Sequence, residues 1–313
     1  MSQDLPIHAV KGYVDWVLEG LLDVCGDYER KYGRNVVQLE VVRERFQKEF
    51  FSIDAIGRSP FLRQCFLKPY GYSGDFRTID MIYRNRPAPD GVVTHVERFA
   101  YDAPACRAVR NRKEFLKEKV REEKCMKREL SILNLASGPA REIAELAEEG
   151  TLDENCRVIN IDHEPEAHDY AMGLLNGVTK QTGIDYIVED AYRFSLRKDN
   201  LDRYGAQDLI LCAGLFDYLD DAWAVRVLRA LFALLREDGI LIVGNFSHEN
   251  PSRTLMEWFA DWKLIHRDEE TFAGLFRKAG ITDMVIEKES LGVNLFGVAG
   301  KGSTVKPFPD DAA

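Results

Sequence analysis

The chain has 313 residues, with 42 Lys and Arg against 52 Asp and Glu, for a formal charge of −10. At 45% hydrophobic and 30% charged it can bury a real core, which excludes wholesale disorder. No apolar run approaches the ~18–20 residues a membrane span needs.

Six cysteines (25, 65, 106, 125, 156 and 212) are scattered with no CxxC pair, and HExxH is absent. That pattern reads as reduced thiols rather than a disulfide frame or a zinc site. The opening MSQDLPIHAVKGYVDW lacks a basic stretch followed by an apolar one, so a cytoplasmic location is expected. Charge is uneven along the chain. Residues 1–128 hold 24 basic and 19 acidic side chains, and residues 129–313 hold 18 and 33. An acidic second half speaks against a nucleic-acid partner. The expected division is a helical segment at 1–128, a second domain at 129–302 and a frayed tail from Ser303 to Ala313.

In chain order, Val10–Tyr32 and Asn35–Phe51 carry apolar residues at i, i+3, i+4, which predicts helices. The segment 68–83, KPYGYSGDFRTIDMIY, is of another kind, rich in glycine and aromatics. Glycines serve the turns of a segment that orders over a ligand, and aromatics exclude water. Tyr72 and Asp75 are candidates there for a direct catalytic role, and Tyr70, Arg77 and Tyr83 for holding a substrate. Residues 104–128 form a long helix with ten basic residues and four interleaved acids. It reads as a solvated connector supported by Glu118–Arg121 and Glu123–Lys127 pairs.

The second half alternates. Strand-like runs stand at Leu130–Ala136, Arg157–Asp162, Ile184–Asp190, Gln207–Cys212 and Gly239–Phe246, with helical spacing at Arg141–Glu149, Glu166–Gly177 and Asp221–Arg236. That implies a doubly wound α/β parallel sheet. Ile281–Lys288 and Gly292–Ala299, joined by a short connection, predict a closing antiparallel hairpin. A Rossmann-like sheet of seven strands that ends this way is the signature of the class I methyltransferases. The first strand runs into Ala136-Ser137-Gly138-Pro139-Ala140, a relaxed version of a glycine turn that lets backbone N–H groups approach a ligand. Asp162 ends the second strand, where a carboxylate accepts ribose hydroxyls, a reading preferred over a cap of the next helix. Asp190 and Ala191 end the third, beside an adenine amino group. Cys212, Phe216 and Tyr218 follow the fourth, beside the remainder of the cofactor. A dinucleotide would favour three glycines and no added negative charge. A sulfonium suits an acidic domain with nearby aromatics, so S-adenosylmethionine (SAM) is the expected cofactor. After the fifth strand Asn245 and Arg253 are substrate-binding candidates, and His248 is a candidate general base. Tyr218 is a further catalytic candidate. The stripe Leu255, Met256, Trp258, Phe259 and Trp262 reads as core before acyl pocket.

Two segments, 68–83 and GNFSHENPSRTLMEWFADWKLIHRDEE at 244–270, resemble the bacterial 3-hydroxy fatty acid methyl ester synthase family, identified in extracellular-factor 3-hydroxypalmitic acid methyl ester biosynthesis. The resemblance implies a helical lid before a SAM-dependent methyltransferase domain acting on a small organic molecule. It points to a carboxylic acid that becomes a methyl ester. Two alternatives stay open from the residues. One is cyclisation of SAM to azetidine-2-carboxylate and methylthioadenosine; the other is SAM binding without turnover.

Overall fold

Capping residues fix where the helices begin, and the computed structural model shows them at work over its described residues, 7–175 and 183–302. The expected tail from residue 303, and the end of the helix expected at 166–177, lie outside these. Helices come first: α1 (Ile7–Tyr32), α2 (Val36–Ser52), α3 (Asp54–Gly57), α4 (Pro60–Leu67), α5 (Phe76–Arg84), α6 (Gly91–Asp102) and α7 (Pro104–Met126). Then strand and helix alternate through β1 (Leu130–Leu135), α8 (Arg141–Glu148), β2 (Cys156–Asp162), α9 (Pro165–Leu174) and β3 (Gly183–Val188). The alternation continues with α10 (Ala191–Leu196), α11 (Asn200–Tyr204), β4 (Gln207–Cys212), α12 (Asp221–Ala233) and β5 (Leu235–Phe246). The chain closes with α13 (Arg253–Phe259), α14 (Glu269–Ala279), β6 (Met284–Lys288) and β7 (Asn294–Gly300). Ser59 caps α4 ahead of Pro60, and Asp220 and Asp268 cap α12 and α14, each accepting a backbone N–H three residues on.

The strands form one sheet in the order β3-β2-β1-β4-β5-β7-β6. The first five are mutually parallel, and β7 lies antiparallel between β5 and β6. The expected α/β sheet with its terminal hairpin is what forms. Both faces are buried, so the strands alternate between two cores rather than between core and water. Leu133, Leu135, Ile210, Cys212 and Leu295 join one core with α10, α12 and α14. Leu130, Ile132, Leu209, Leu211 and Phe296 join the other with α7 and α8. The helix expected to run to Arg236 stops at Ala233, and β5 starts early at Leu235. Asp238 sits there at φ +61 beside a shift of register on β4, the mark of a bulge.

Two units divide the chain. The first is Met1–Arg107 with Pro251–Lys263, and the second is Ala108–Asn250 with Leu264–Ala313. The boundary therefore falls inside α7 rather than at residue 128, and a short later segment belongs to the helical unit. This redraws the charge: the first unit holds 17 basic and 17 acidic residues, so the whole −10 rests on the second. The basic surplus expected of the helical part belongs to α7.

Nor is α7 a solvated connector. Leu116 and Val120, four apart, are buried in the sheet's core, and Phe115 stacks on Phe296 with ring centroids 4.0 Å apart. Its cations lie along the edges of that stripe and meet acids of the same unit. Lys113 pairs with Glu145 at 2.6 Å, Lys117 with Glu149 at 2.7 Å, Lys124 with Asp153 at 2.9 Å and Lys119 with Glu287 at 3.0 Å. The interleaved charges reflect a helix that is paired laterally, not one that is bathed in water. The two expected pairs within the helix, Glu118–Arg121 and Glu123–Lys127, also form. Among the described residues, no helix is long and apolar enough to cross a membrane.

Candidate functional site

The parallel strands place their carboxyl ends along one edge, and register levels them. Leu135 on β1 pairs with Ile161 on β2, and Asp162 on β2 pairs with Val188 on β3. The ladder continues past the strand ends, Ser137 N–H donating to the Ile161 carbonyl at 3.1 Å and Glu189 N–H to that of Asp162 at 2.9 Å. Turn and acidic residues thus stand side by side.

The turn after β1 is left-handed at three alternate positions, Ala136 at φ +55, Gly138 at +52 and Ala140 at +44. Two alanines hold a conformation that costs an L-residue roughly 1–2 kcal/mol. The winding aims the Gly138 N–H at Asp162, whose Oδ2 accepts it at 2.8 Å. Asp162 Oδ1 accepts the Glu164 N–H at 3.1 Å and lies 3.3 Å from His163 Nδ1. Burial pushes this carboxyl up, but His163 and the two backbone N–H groups outweigh it and hold it below the usual carboxylate range. His163 is pushed up in turn by Asp162, and its Nε2 lies 3.2 Å from Glu164. Asp162 is a fixed anion with lone pairs to spare. Asp190 caps α10, its Oδ1 accepting from Tyr192 and Arg193 N–H at 2.9 and 3.1 Å. Its Oδ2 takes no hydrogen bond from the described residues. Ala191 opens α10 and is nearly buried.

The other candidates of this unit stand differently. Cys212 and Phe216 are fully buried in the core, and burial pushes the Cys212 thiol up. The ring of Phe216 therefore faces no open site, and the aromatic contact with a cation expected of it is not presented. Tyr218, half-buried, ends a short 3₁₀ turn at Phe216–Tyr218. Asn245 is fully buried and fully used. Its Nδ2 donates to the Phe246 and Ile265 carbonyls at 2.9 and 3.0 Å, and its Oδ1 accepts from Arg267 at 2.6 Å. It is a brace rather than a substrate ligand. His248 is exposed and is held through its backbone N–H to the Arg267 carbonyl at 3.0 Å.

In the helical unit, the structure makes Asp75 a helix cap. It is fully buried, and its two oxygens accept from Thr78 N–H and Gln64 Nε2, each at 2.9 Å. Desolvation raises its pKa above the ordinary value. Tyr70 Oη accepts from Arg77 Nε at 3.1 Å and its ring lies 4.9 Å from that of Phe76. Tyr72 and Tyr83 are half-buried in the same stretch. Ser73 donates to the Ala260 and Asp261 carbonyls, and Lys68 pairs with Asp261, which ties the stretch to the segment after α13. Arg253 opens α13 and pairs with Glu257 at 2.7 Å. The aromatic stripe of α13 is core, as expected, with Trp258 edge-on to Phe46. This unit has a cleft of about 470 Å³ whose walls include Lys11, Asp15, Arg30, Pro104 and Leu255, and none of its six site candidates lines it.

Three residues escaped the sequence reading. Arg267 is 2% exposed and donates to the Phe216, Leu219 and Asn245 oxygens at 2.9, 2.6 and 2.6 Å, so it pins the loop after β4 to the end of β5. Asp217 is buried in that loop, its Oδ1 accepting the Phe246 N–H at 2.6 Å. Arg112 is buried beside the same strand end. Its signal was legible, because it precedes Leu116 and Val120 by four and eight residues and so shares their face. For Arg267 and Asp217, nothing local marked the burial.

Desolvation pushes Asp217 up to about 6, against an unfolded value of roughly 3.9. The folded protein then binds the extra proton, so stability falls as pH rises from about 4 to about 6 and the cost persists above. Asp217→Asn keeps the acceptor and removes the charge. It is expected to gain about 1–3 kcal/mol over wild type at pH 7.5, with the gain vanishing near pH 4. Urea unfolding at both pH values measures this; a variant weaker at both would refute the account.

No protein-family model matches the chain, and no curated protein matches it. Solved structures do. A chain from Bordetella parapertussis designated a possible exported protein is 19% identical over 73% of this chain and 80% of its own, with a TM-score of 0.60. One from Thermobifida fusca YX designated a putative methyltransferase is 16% identical over 71% and 94%, at 0.51. One from Nostoc punctiforme PCC 73102 designated a putative O-methyltransferase is 14% identical over 77% and 71%, at 0.51. With the strand order, these likenesses make the fold that of the class I methyltransferases.

Proposed function

We propose that the chain is a SAM-dependent methyltransferase of a small organic molecule, with a carboxylic acid as the acceptor class. The observation that carries this reading is Asp162, an ionised carboxylate fixed by the Gly138 N–H at the end of β2. Asp162 would hold the ribose hydroxyls of SAM, and Asp190 Oδ2, free to accept, the adenine amino group. When bound, SAM supplies a methyl group already activated by its sulfonium. The protein's task is then alignment and exclusion of water.

A carboxylate acceptor is ionised at neutral pH and needs no general base. That agrees with the placement of the acid–base candidates, since Asp75 is a buried cap and His248 stands exposed. The likeness of segments 68–83 and 244–270 to the 3-hydroxy fatty acid methyl ester synthases supports the same class. On that likeness the helical unit, with Tyr70, Tyr72, Arg77, Tyr83 and Arg253, is the acceptor-selecting part. Incubation with SAM, with and without 3-hydroxy fatty acids, tests the reading. S-adenosylhomocysteine formed only with an acceptor supports it. Methylthioadenosine released from SAM alone would replace it with cyclisation, and SAM binding with neither product would replace it with a regulatory role.

A further inference from the structure

Arg112 is a buried cation that the chain leaves without a counterion. It is 5% exposed, and among the described residues no carboxylate lies within 4.0 Å of its guanidinium. Nη1 donates to the Ala213 carbonyl at 3.0 Å, and Nε is buried with no partner. Nη2 stands 3.8 Å from where a β-carbon on Gly214 would lie. The fork therefore covers the first residues after β4. Their position is fixed by close packing, since a β-carbon on Gly244 of the neighbouring β5 would lie 2.7 Å from the Ala213 carbonyl oxygen. Glu142 and Asp217 feel the charge of Arg112 but are not paired with it. A guanidinium taken out of water costs several kcal/mol unless an anion compensates it.

Strand order says which anion. Asp190 follows β3, Asp162 ends β2, Gly138 follows β1 and Arg112 stands at β4, so these groups run in sequence along the carboxyl edge. A nucleoside held at β3 and β2 must send any tail across the β1 turn towards β4. That is two strand spacings, roughly 9–10 Å. The amino-acid tail of SAM runs six bonds from the ribose ring to its carboxylate carbon, roughly 7–8 Å extended, and a hydrogen bond adds about 3 Å.

We infer that Arg112 is the receptor for the α-carboxylate of the cofactor, held over Gly214 at the end of β4. This rests on the cofactor reading above. A carboxylate suits the planar fork, which a point charge would not replace.

The test compares S-adenosylhomocysteine with 5′-methylthioadenosine, which has the nucleoside and sulfur but no amino-acid tail. Calorimetry on the full chain is expected to show wild type binding the former more tightly. Arg112→Met should weaken S-adenosylhomocysteine by roughly 10–100-fold and methylthioadenosine by less than about 3-fold, with Arg112→Lys between. Equal losses for both ligands would reduce Arg112 to a structural role and overturn the inference. Should the variants fail to fold, wild type decides, because equal affinity for both ligands overturns the anchor while leaving the nucleoside site intact. Octanoate stabilises the wild type against heat only if the acceptor's carboxylate binds. Loss of that shift in Arg112→Met, with S-adenosylhomocysteine affinity retained, would move the contact to the acceptor and overturn it too. Wild type that binds neither nucleoside withdraws the cofactor reading itself, and this inference with it.

Discussion

Arg267→Ala is expected to lower stability by about 3–5 kcal/mol, the largest effect of any single change at the strand edge. The side chain satisfies three buried oxygens, from Phe216, Leu219 and Asn245, and reaches Asp221 at 3.1 Å. Its backbone also holds the end of β5, N–H to the Phe246 carbonyl at 3.1 Å and carbonyl to His248 N–H at 3.0 Å. Truncation leaves the oxygens dry and unpaired, each costing about 1–3 kcal/mol before relaxation. Lysine should rescue little, since one ammonium cannot reach acceptors spread as a fork. Guanidinium unfolding reads the loss as a lower midpoint at unchanged slope. A loss under about 1 kcal/mol would mean that water replaces the arginine.

The second large effect falls on binding. Asp162→Asn is expected to weaken S-adenosylhomocysteine at least about 30-fold. Each carboxylate oxygen accepts one backbone N–H, from Gly138 and from Glu164, so an amide must turn its NH₂ towards one donor or the other. The turn after β1 loses its anchor together with the proposed ribose acceptor. Because the Asp162 pKa lies below the usual range, its contribution is complete above roughly pH 4 and falls away only in acid. Affinity unchanged from wild type at pH 7.5 would remove Asp162 from the site.

Much of the site edge was legible because strand ends are local. The strand-like runs ended where β2 and β4 end, which put Asp162 at its strand end, while the run expected to reach Asp190 stops two residues earlier, at Val188 of β3. What each acid does there was less legible. Asp75 and Asp190 both read as site carboxylates, and both cap helices. They differ in whether the second oxygen is taken. Gln64, eleven residues away, fills that of Asp75, while that of Asp190 stays open. Asn245 likewise looked like a ligand, and only Arg267, 22 residues on, shows it to be a brace.

By itself, the sequence determined the α/β class, the closing hairpin, the turn at 136–140 and the acids beside it, because periodicity and turn chemistry act over a few residues. Tertiary structure decided the rest: that residues 251–263 rejoin the helical unit, and that α7 packs on the sheet. It decided too that the −10 belongs wholly to one unit and that Arg112 is a buried cation without a counterion. Burial and hydrogen-bond partnership arise from contacts between residues tens to hundreds apart, and no local pattern carries them.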